Sequence, residues 1–197
     1  MLSNVTFAVL DTETTGFNAD KWDRLLEIAV VKIRNWKVIR ADNFETMINP
    51  QREIPLSASR VNGITEEMVK DAPLIEDKID EFMEFFHDVD YTLIHNAKFD
   101  LSFINYNLKK SLKKEVQEFK MPWVVCTVEL SKALYPHYNA HNLDAISKRF
   151  WLSITDWELR HRALWDVILT WEVFLKFFEE NPMLIFPEMD EISSKYS

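Results

Sequence analysis

The 197-residue sequence holds a single cysteine, Cys126, so no disulfide can form within the chain and nothing in its cysteine content points to secretion. Glycine is almost as scarce. Gly16 and Gly63 are the only two, against the ~7% of ordinary proteins. That excludes the glycine-rich loops of P-loop and dinucleotide-binding proteins, and it marks two places where backbone freedom is expected to matter. Basic residues also fall short, 23 Lys and Arg against 32 Asp and Glu, for a net charge of −9. Such a balance argues against a protein that grips nucleic acid mainly through a basic surface. It does not exclude a nuclease, because carboxylates that ligate divalent cations add negative charge that the metal offsets. No run approaches the roughly 18–20 apolar residues of a membrane span, and Met1–Thr6 lacks the basic start and apolar run of a signal peptide. The expectation is a cytoplasmic protein without a membrane partner.

What is present reads as one folded domain. Apolar residues make up 47% and charged residues 28%, which excludes disorder over most of the chain. Phe7–Leu10 is a short apolar run that ends abruptly at Asp11. Leu25–Ile33 and Lys37–Ile48 follow, with Asn35-Trp36 fitting a turn between them, so three strands form an antiparallel meander. The period then changes. After Pro73, the spacing of Ile75, Ile79, Phe82, Met83 and Phe86 predicts a helix; Tyr91–His95 reads as a buried strand, and Leu101, Ile104, Leu108 and Leu112 resume helical spacing. Short helices fit Thr127–Leu134 and Asn142–Phe150. The longest helix runs from Ala163 to Phe178, apolar on several faces, with Pro182 as its stop. The sum is an α/β architecture, a mixed β-sheet of antiparallel meander and then parallel strands, flanked by helices. Residues 1–181 make the domain and 182–197 a C-terminal tail.

Three acidic patterns stand out from this frame. Asp11 ends an apolar strand and Glu13 lies two residues on, so both side chains point the same way and repel unless a cation sits between them. The plain alternative is that Asp11 caps a turn and Glu13 is solvated. In His95-Asn96-Ala97-Lys98-Phe99-Asp100 a buried strand gives way to a helix, placing Asp100 in the first turn, where it also suits the helix dipole. In His161-Arg162-Ala163-Leu164-Trp165-Asp166 the carboxylate falls inside an apolar helix, between Leu164, Trp165, Val167 and Ile168. An ionised group there is costly unless paired or metal-bound. Five helical residues turn by about 140°, so His161 converges on Asp166 only if it lies in the loop before the helix.

Taken in this order, Asp-x-Glu-Thr-Thr-Gly, His-Asn-Ala-x-Phe-Asp and His-x4-Asp resemble the DnaQ-like (DEDDh) 3′–5′ exonuclease family, in particular its DNA polymerase III proofreading branch. Leu26-Glu27-Ile28-Ala29, Val61-Asn62-Gly63-Ile64-Thr65 and His141-Asn142-Leu143 add to the likeness, which runs from about Phe7 to Phe178. The resemblance implies a ribonuclease H-like fold and release of nucleoside 5′-monophosphates from the 3′ end of DNA. It implies that Asp11, Glu13, Asp100 and Asp166 hold two Mg²⁺ or Mn²⁺ ions, as oxygen ligands without cysteine also suggest. His161 would take the proton from the attacking water. Thr14, Val61, Asn62, His95 and Phe99 match positions around the terminal nucleotide. Asn62 departs from the histidine many members carry, and Val167 from a frequent alanine. The implied partners are a single-stranded or frayed 3′ end of DNA and a DNA polymerase subunit or sliding clamp. The same motifs serve an exoribonuclease of the ribonuclease T or oligoribonuclease type. A catalytically silent relative that only binds partners would not need all five groups.

Other features invite separate readings. His137 and His141, with Cys126, offer a zinc-like set, but Pro136 and the Tyr-Asn-Ala filling read as loop and no fourth ligand is suitably spaced. Cys126 follows two valines as a core thiol would. Seven tryptophans suggest an aromatic platform, although Trp165 and Trp171 sit in apolar helix context. In the tail, Met183–Phe186 between two prolines reads either as a docking peptide or as apolar residues packed on their own domain.

Overall fold

The computed structural model describes residues 5–110, 112–152 and 162–196. Strand β1 (Thr6–Thr14) lies at the centre of the sheet. β2 (Leu25–Arg34) and β3 (Lys37–Met47) join it antiparallel on one side, and β4 (Tyr91–Ile94) and β5 (Val124–Cys126) run parallel on the other, in the order β3-β2-β1-β4-β5. Meander first and parallel strands after is the arrangement that the change of hydrophobic period predicts. β5 is absent from the sequence reading. Its three residues are too few to carry a period, and only their pairing with Thr92–Ile94 makes them a strand. The β2–β3 turn has positive φ at both Asn35 (51°) and Trp36 (62°), the backbone twist that tight hairpins favour. A tryptophan is tolerated there because its ring packs 4.6 Å from Phe178 and 5.9 Å from Trp171.

Helices α1 (Leu56–Asn62), α2 (Glu66–Val69) and α3 (Ile75–Phe85) fill the connection from β3 to β4. α4 (Ala97–Lys110) and α5 (Lys114–Glu118) lead to β5, and α6 (Thr127–Leu134), α7 (Leu143–Arg149), α8 (Ala163–Glu180) and α9 (Ile185–Ser194) follow. Phe7 of β1 touches Trp171 (5.6 Å) and Phe174 (5.4 Å) of α8. Because side chains alternate along a strand, the odd-numbered residues of β1 face α8 and the even-numbered ones face the opposite layer. A smaller cluster of Leu26, Ile54, Ile64 and Val69 seats α1 and α2 beside the sheet.

The segment beyond Pro182 folds back as α9. Its Ile185, Met189 and Ile192 are buried in the main core, and the helix packs on α6 and β5. The Tyr196 hydroxyl donates to Glu129 of α6 at 2.7 Å. The apolar residues Ile185, Met189 and Ile192 of α9 are thus covered by their own domain, while Met183 and Leu184 before the helix stay exposed. No described helix is long and apolar enough to cross a membrane.

Candidate active site

Asp11 and Glu13 are odd-numbered residues of β1 and so share the face that meets α8. Asp166, in the first turn of α8, comes down onto the same face. Each of the three offers a carboxylate oxygen, and these oxygens lie within 4.8 Å of one another, the one such group of potential ligands among the described residues. Asp166 is only 8% exposed, as expected of a residue flanked by Leu164, Trp165, Val167 and Ile168.

Asp100 arrives from the other layer. Pairing between β1 and β4 ends at Leu10–Ile94, so β1 runs on past its parallel neighbour and must find other partners for its backbone groups. The Thr12 amide (3.0 Å) and the Thr12 hydroxyl (2.7 Å) both donate to Asp100 Oδ1. Asn96 makes the approach possible. At φ 63° it turns the chain sharply from β4 into α4, a conformation that asparagine tolerates better than most residues. Asp100 is 2% exposed and stands outside the group of three. Fixing one oxygen orients its carboxyl, which has a second oxygen for other duties.

So many acids in one place hold protons. Burial, followed by the negative charges of Asp166, Glu27 and Asp100, pushes Glu13 up to about 9, with a hydrogen bond from Asn62 acting in the opposite sense. Burial likewise raises Asp100 to about 7; its bonds from Thr12 pull it down and the Asp166 charge pushes it up. A cation would relieve both. The donor set is hard oxygen throughout, which suits Mg²⁺ or Mn²⁺ rather than zinc. The residues therefore fit a divalent metal.

Glu27 is a supporting residue that the sequence reading passed over as a strand feature. It lies directly across β2 from Glu13, an arrangement of like charges that destabilises a sheet unless one is neutralised. Arg162 supplies the neutralisation, its Nε at 3.1 Å and Nη2 at 2.6 Å from the two Glu27 oxygens. The Ala163 amide also donates to Glu27, at 3.0 Å. A strand carboxylate thus caps α8, whose own N-cap side chain makes no such bond, and fixes the turn that carries Asp166. Glu27→Gln keeps the shape but loses the charge. It is expected to lower unfolding free energy by about 1–3 kcal/mol, read from urea melts at pH 7, and an unchanged melt would show that the clasp contributes nothing.

Of the residues expected around a terminal nucleotide, His95 lines the groove beside the carboxylates, and the others sit on the neighbouring turn and helices. Thr14 donates its hydroxyl to Gly16 O at 2.6 Å, shaping the turn after β1. A Cβ at Gly16 would lie 2.5 Å from the Asp23 carboxyl, which accepts from the Asn18 amide at 2.9 Å, so a side chain there would displace that contact. Asn62 is buried, donating to Thr14 O at 3.3 Å and accepting from the Ile64 amide at 3.0 Å. It braces Glu13 and Thr14 from behind, while Val61 is exposed beside it. Gly63, at φ 70°, ends α1 and produces this in–out division. His95 Nδ1 lies 2.9 Å from the Thr127 hydroxyl. Phe99 meets Phe17 edge-on at 6.1 Å. Phe17, 84% exposed, was not singled out from the sequence, although an aromatic immediately after the Thr-Thr-Gly turn was the available signal. His161 lies outside the described residues.

An open groove of about 490 Å³ runs along the carboxylates, lined among others by Asp11, Asp166, His95, Lys132 and His141. Both ring nitrogens of His141 already have hydrogen-bond partners, which does not favour the zinc reading. His141 Nδ1 meets the Ser131 hydroxyl and Nε2 the Tyr138 carbonyl, each at 2.8 Å, while Cys126 is buried in β5.

Comparison with known proteins agrees with this geometry. Residues 8–174 match the exonuclease (RNase_T) family. Over 180 residues the chain is 37% identical to the PolC-type DNA polymerase III of Bacillus subtilis, covering 91% of this chain and 12% of that protein. Over 175 residues it is 35% identical to the DNA polymerase III subunit epsilon of Rickettsia felis, covering 89% of this chain and 75% of that one. Among solved structures, Exonuclease X in complex with 5′-overhanging duplex DNA aligns with a TM-score of 0.72 and 25% identity, over 95% of this chain and 99% of the other. E. coli Exonuclease I in complex with a dT13 oligonucleotide shares the fold, with a TM-score of 0.74 at 16% identity over 91% and 42% of the two chains. With the family match running from β1 into α8 and across every carboxylate described above, the chain belongs to the exonuclease family.

Proposed function

We propose that the chain is a metal-dependent 3′–5′ exonuclease that hydrolyses the terminal phosphodiester of DNA and releases nucleoside 5′-monophosphates, in proofreading or repair. The observation that carries this reading is the convergence of Asp11, Glu13 and Asp166 from two elements onto one face, beside an open groove. These three, with Asp100 held by Thr12, would hold two Mg²⁺ or Mn²⁺ ions. When bound, such ions polarise the phosphate and make water a nucleophile near neutral pH. The chain's own residues do the rest. His161 takes the proton from the attacking water, as a general base. Phe17 and Phe99 flank the terminal base, Val61 closes the rim, and Asn62 and Thr14 fix the turn beneath it. Apolar and stacking contact of this kind tolerates any base. His95, tied to Thr127, borders the scissile bond. A net charge of −9 predicts weak, distributive binding with a shallow salt dependence. Delivery by a DNA polymerase partner, as the names of the relatives suggest, would compensate.

The test compares 5′-labelled single-stranded DNA and RNA of equal sequence with Mg²⁺, Mn²⁺ or EDTA. A ladder shortening from the 3′ end of DNA, abolished by EDTA, is the expected result. Faster loss of RNA would keep the chemistry and change the substrate. No ladder on either from folded protein would overturn the reading.

A further inference from the structure

The carboxylate groove does not end at the carboxylates. Asn139 lines both that groove and a second depression of about 520 Å³, whose other walls include Tyr138, Lys148, Arg149 and Trp151. These residues come from the loop between α6 and α7 and from the end of α7. In a chain with nine more acidic than basic residues, the described residues that line this hollow include two cations and no carboxylate. Arg149 is held in place. Its Nη2 donates to Ala140 O at 2.9 Å, and its guanidinium lies 3.6 Å from the centre of the Tyr138 ring.

Trp151 is the more telling residue. It is 91% exposed, and its indole makes no ring contact among the described residues. It also stands where folding alone would favour a different residue. α7 closes with the Leu152 amide donating to Ser147 O at 2.9 Å, and Trp151, between the helix and that bond, has φ 53°. This is the left-handed position after a helix that glycine usually fills, because a side chain there is strained. The indole is thus held outward at the lip of a cationic hollow, at a position that serves the fold poorly. Among the described tryptophans this is the most exposed, and it borders the hollow that adjoins the carboxylate groove.

We propose that this depression is an upstream subsite for single-stranded nucleic acid: Lys148 and Arg149 face backbone phosphates and Trp151 stacks a base, while the 3′ end lies at the carboxylates. The inference rests on the nuclease reading above. A larger cavity of about 640 Å³, lined by Arg24, Arg52 and Lys110, is a weaker claimant. Glu53 and Glu76 also line it, its arginines bond the carbonyls of Ala19, Asp23 and Trp22, and it shares no wall with the carboxylate groove.

The test pairs two substrates with Mn²⁺, single-stranded dT10 and the p-nitrophenyl ester of thymidine 5′-monophosphate. The ester has the terminal nucleotide and a scissile bond but no strand to reach Trp151. In Trp151→Gly, kcat/KM on dT10 relative to kcat/KM on the ester should fall about tenfold or more, through KM rather than kcat. The melting temperature should hold or rise, since glycine relieves the strain. In Lys148→Glu the same ratio should fall, and the dependence of log KM for dT10 on log salt should become shallower by about one. Ratios equal to wild type in both variants overturn the subsite and leave the nuclease standing, as would parallel losses on both substrates. A wild-type protein that cleaves neither substrate overturns the nuclease reading, and the subsite with it.

Discussion

Asp166→Asn is expected to lower hydrolysis of single-stranded DNA at least a thousandfold and, in the same protein, to raise the melting temperature measured without metal. The two effects have one cause. Asp166 is a buried carboxylate whose charge pushes up both Glu13 and Asp100, so the metal-free fold carries a repulsion that the amide removes. Asparagine has nearly the same volume and keeps hydrogen-bonding capacity, which limits any loss of packing. What it loses is a hard anionic ligand, and a thousandfold decrease corresponds to about 4 kcal/mol of transition-state stabilisation, within the several kcal/mol that a bound metal supplies. Relief of repulsion by about 1 kcal/mol would raise the melting temperature of a chain this size by roughly 2–4 °C. The measurements are single-turnover cleavage with Mn²⁺ and thermal melts in EDTA. Near-wild-type cleavage would remove Asp166 from the site. An inactive variant that also melts lower would make the residue a structural one.

Asp166 was legible in the sequence because it breaks a rule: a carboxylate flanked on both sides by apolar helix residues needs a reason. Asp11 and Glu13 were legible through the period of two that puts alternate residues on one face. The meander and α6, α7 and α8 were legible for the same kind of reason, since each is long enough or capped well enough to show its period. Asn142, for instance, caps α7 by accepting from the Ala145 amide at 2.9 Å. The supports of the site were not legible. Asp100 is oriented by a backbone amide of β1 that is free only because β4 stops short, a fact of pairing length rather than of residue type. Glu27 hides inside a continuous buried strand, and its meaning depends on Arg162, 135 positions away. β5 is too short to read, and the segment after Pro182 looked like a tail because prolines bracket an apolar run. In the fold, Pro187 lies within the first turn of α9, where a proline is tolerated. Sequence pattern exposes residues that violate their surroundings; it does not expose residues whose role is to satisfy someone else's.

The same cluster predicts how stability should depend on pH and metal. Glu13 is raised from its ordinary 4.5 to about 9 and Asp100 from 3.8 to about 7. Between those limits the folded chain holds protons that the unfolded chain has released, so stability must fall as pH rises. The contribution is fully present below about pH 4. It is lost through the neutral range as Asp100 and then Glu13 are forced to ionise. Metal reverses the sign, because a divalent ion binds the ionised carboxylates and stabilises by an amount that grows with its affinity. In EDTA the melting temperature should therefore drop by at least about 5 °C between pH 5 and 9, and saturating Mn²⁺ should flatten or invert that slope. The Asp166→Asn protein is the control. With one source of repulsion gone, its decline in EDTA should be shallower, and Mn²⁺ should change it less. Identical curves with and without metal in the wild-type chain would mean that the carboxylates repel one another without holding a cation, and the hydrolytic reading of the site would fail with them.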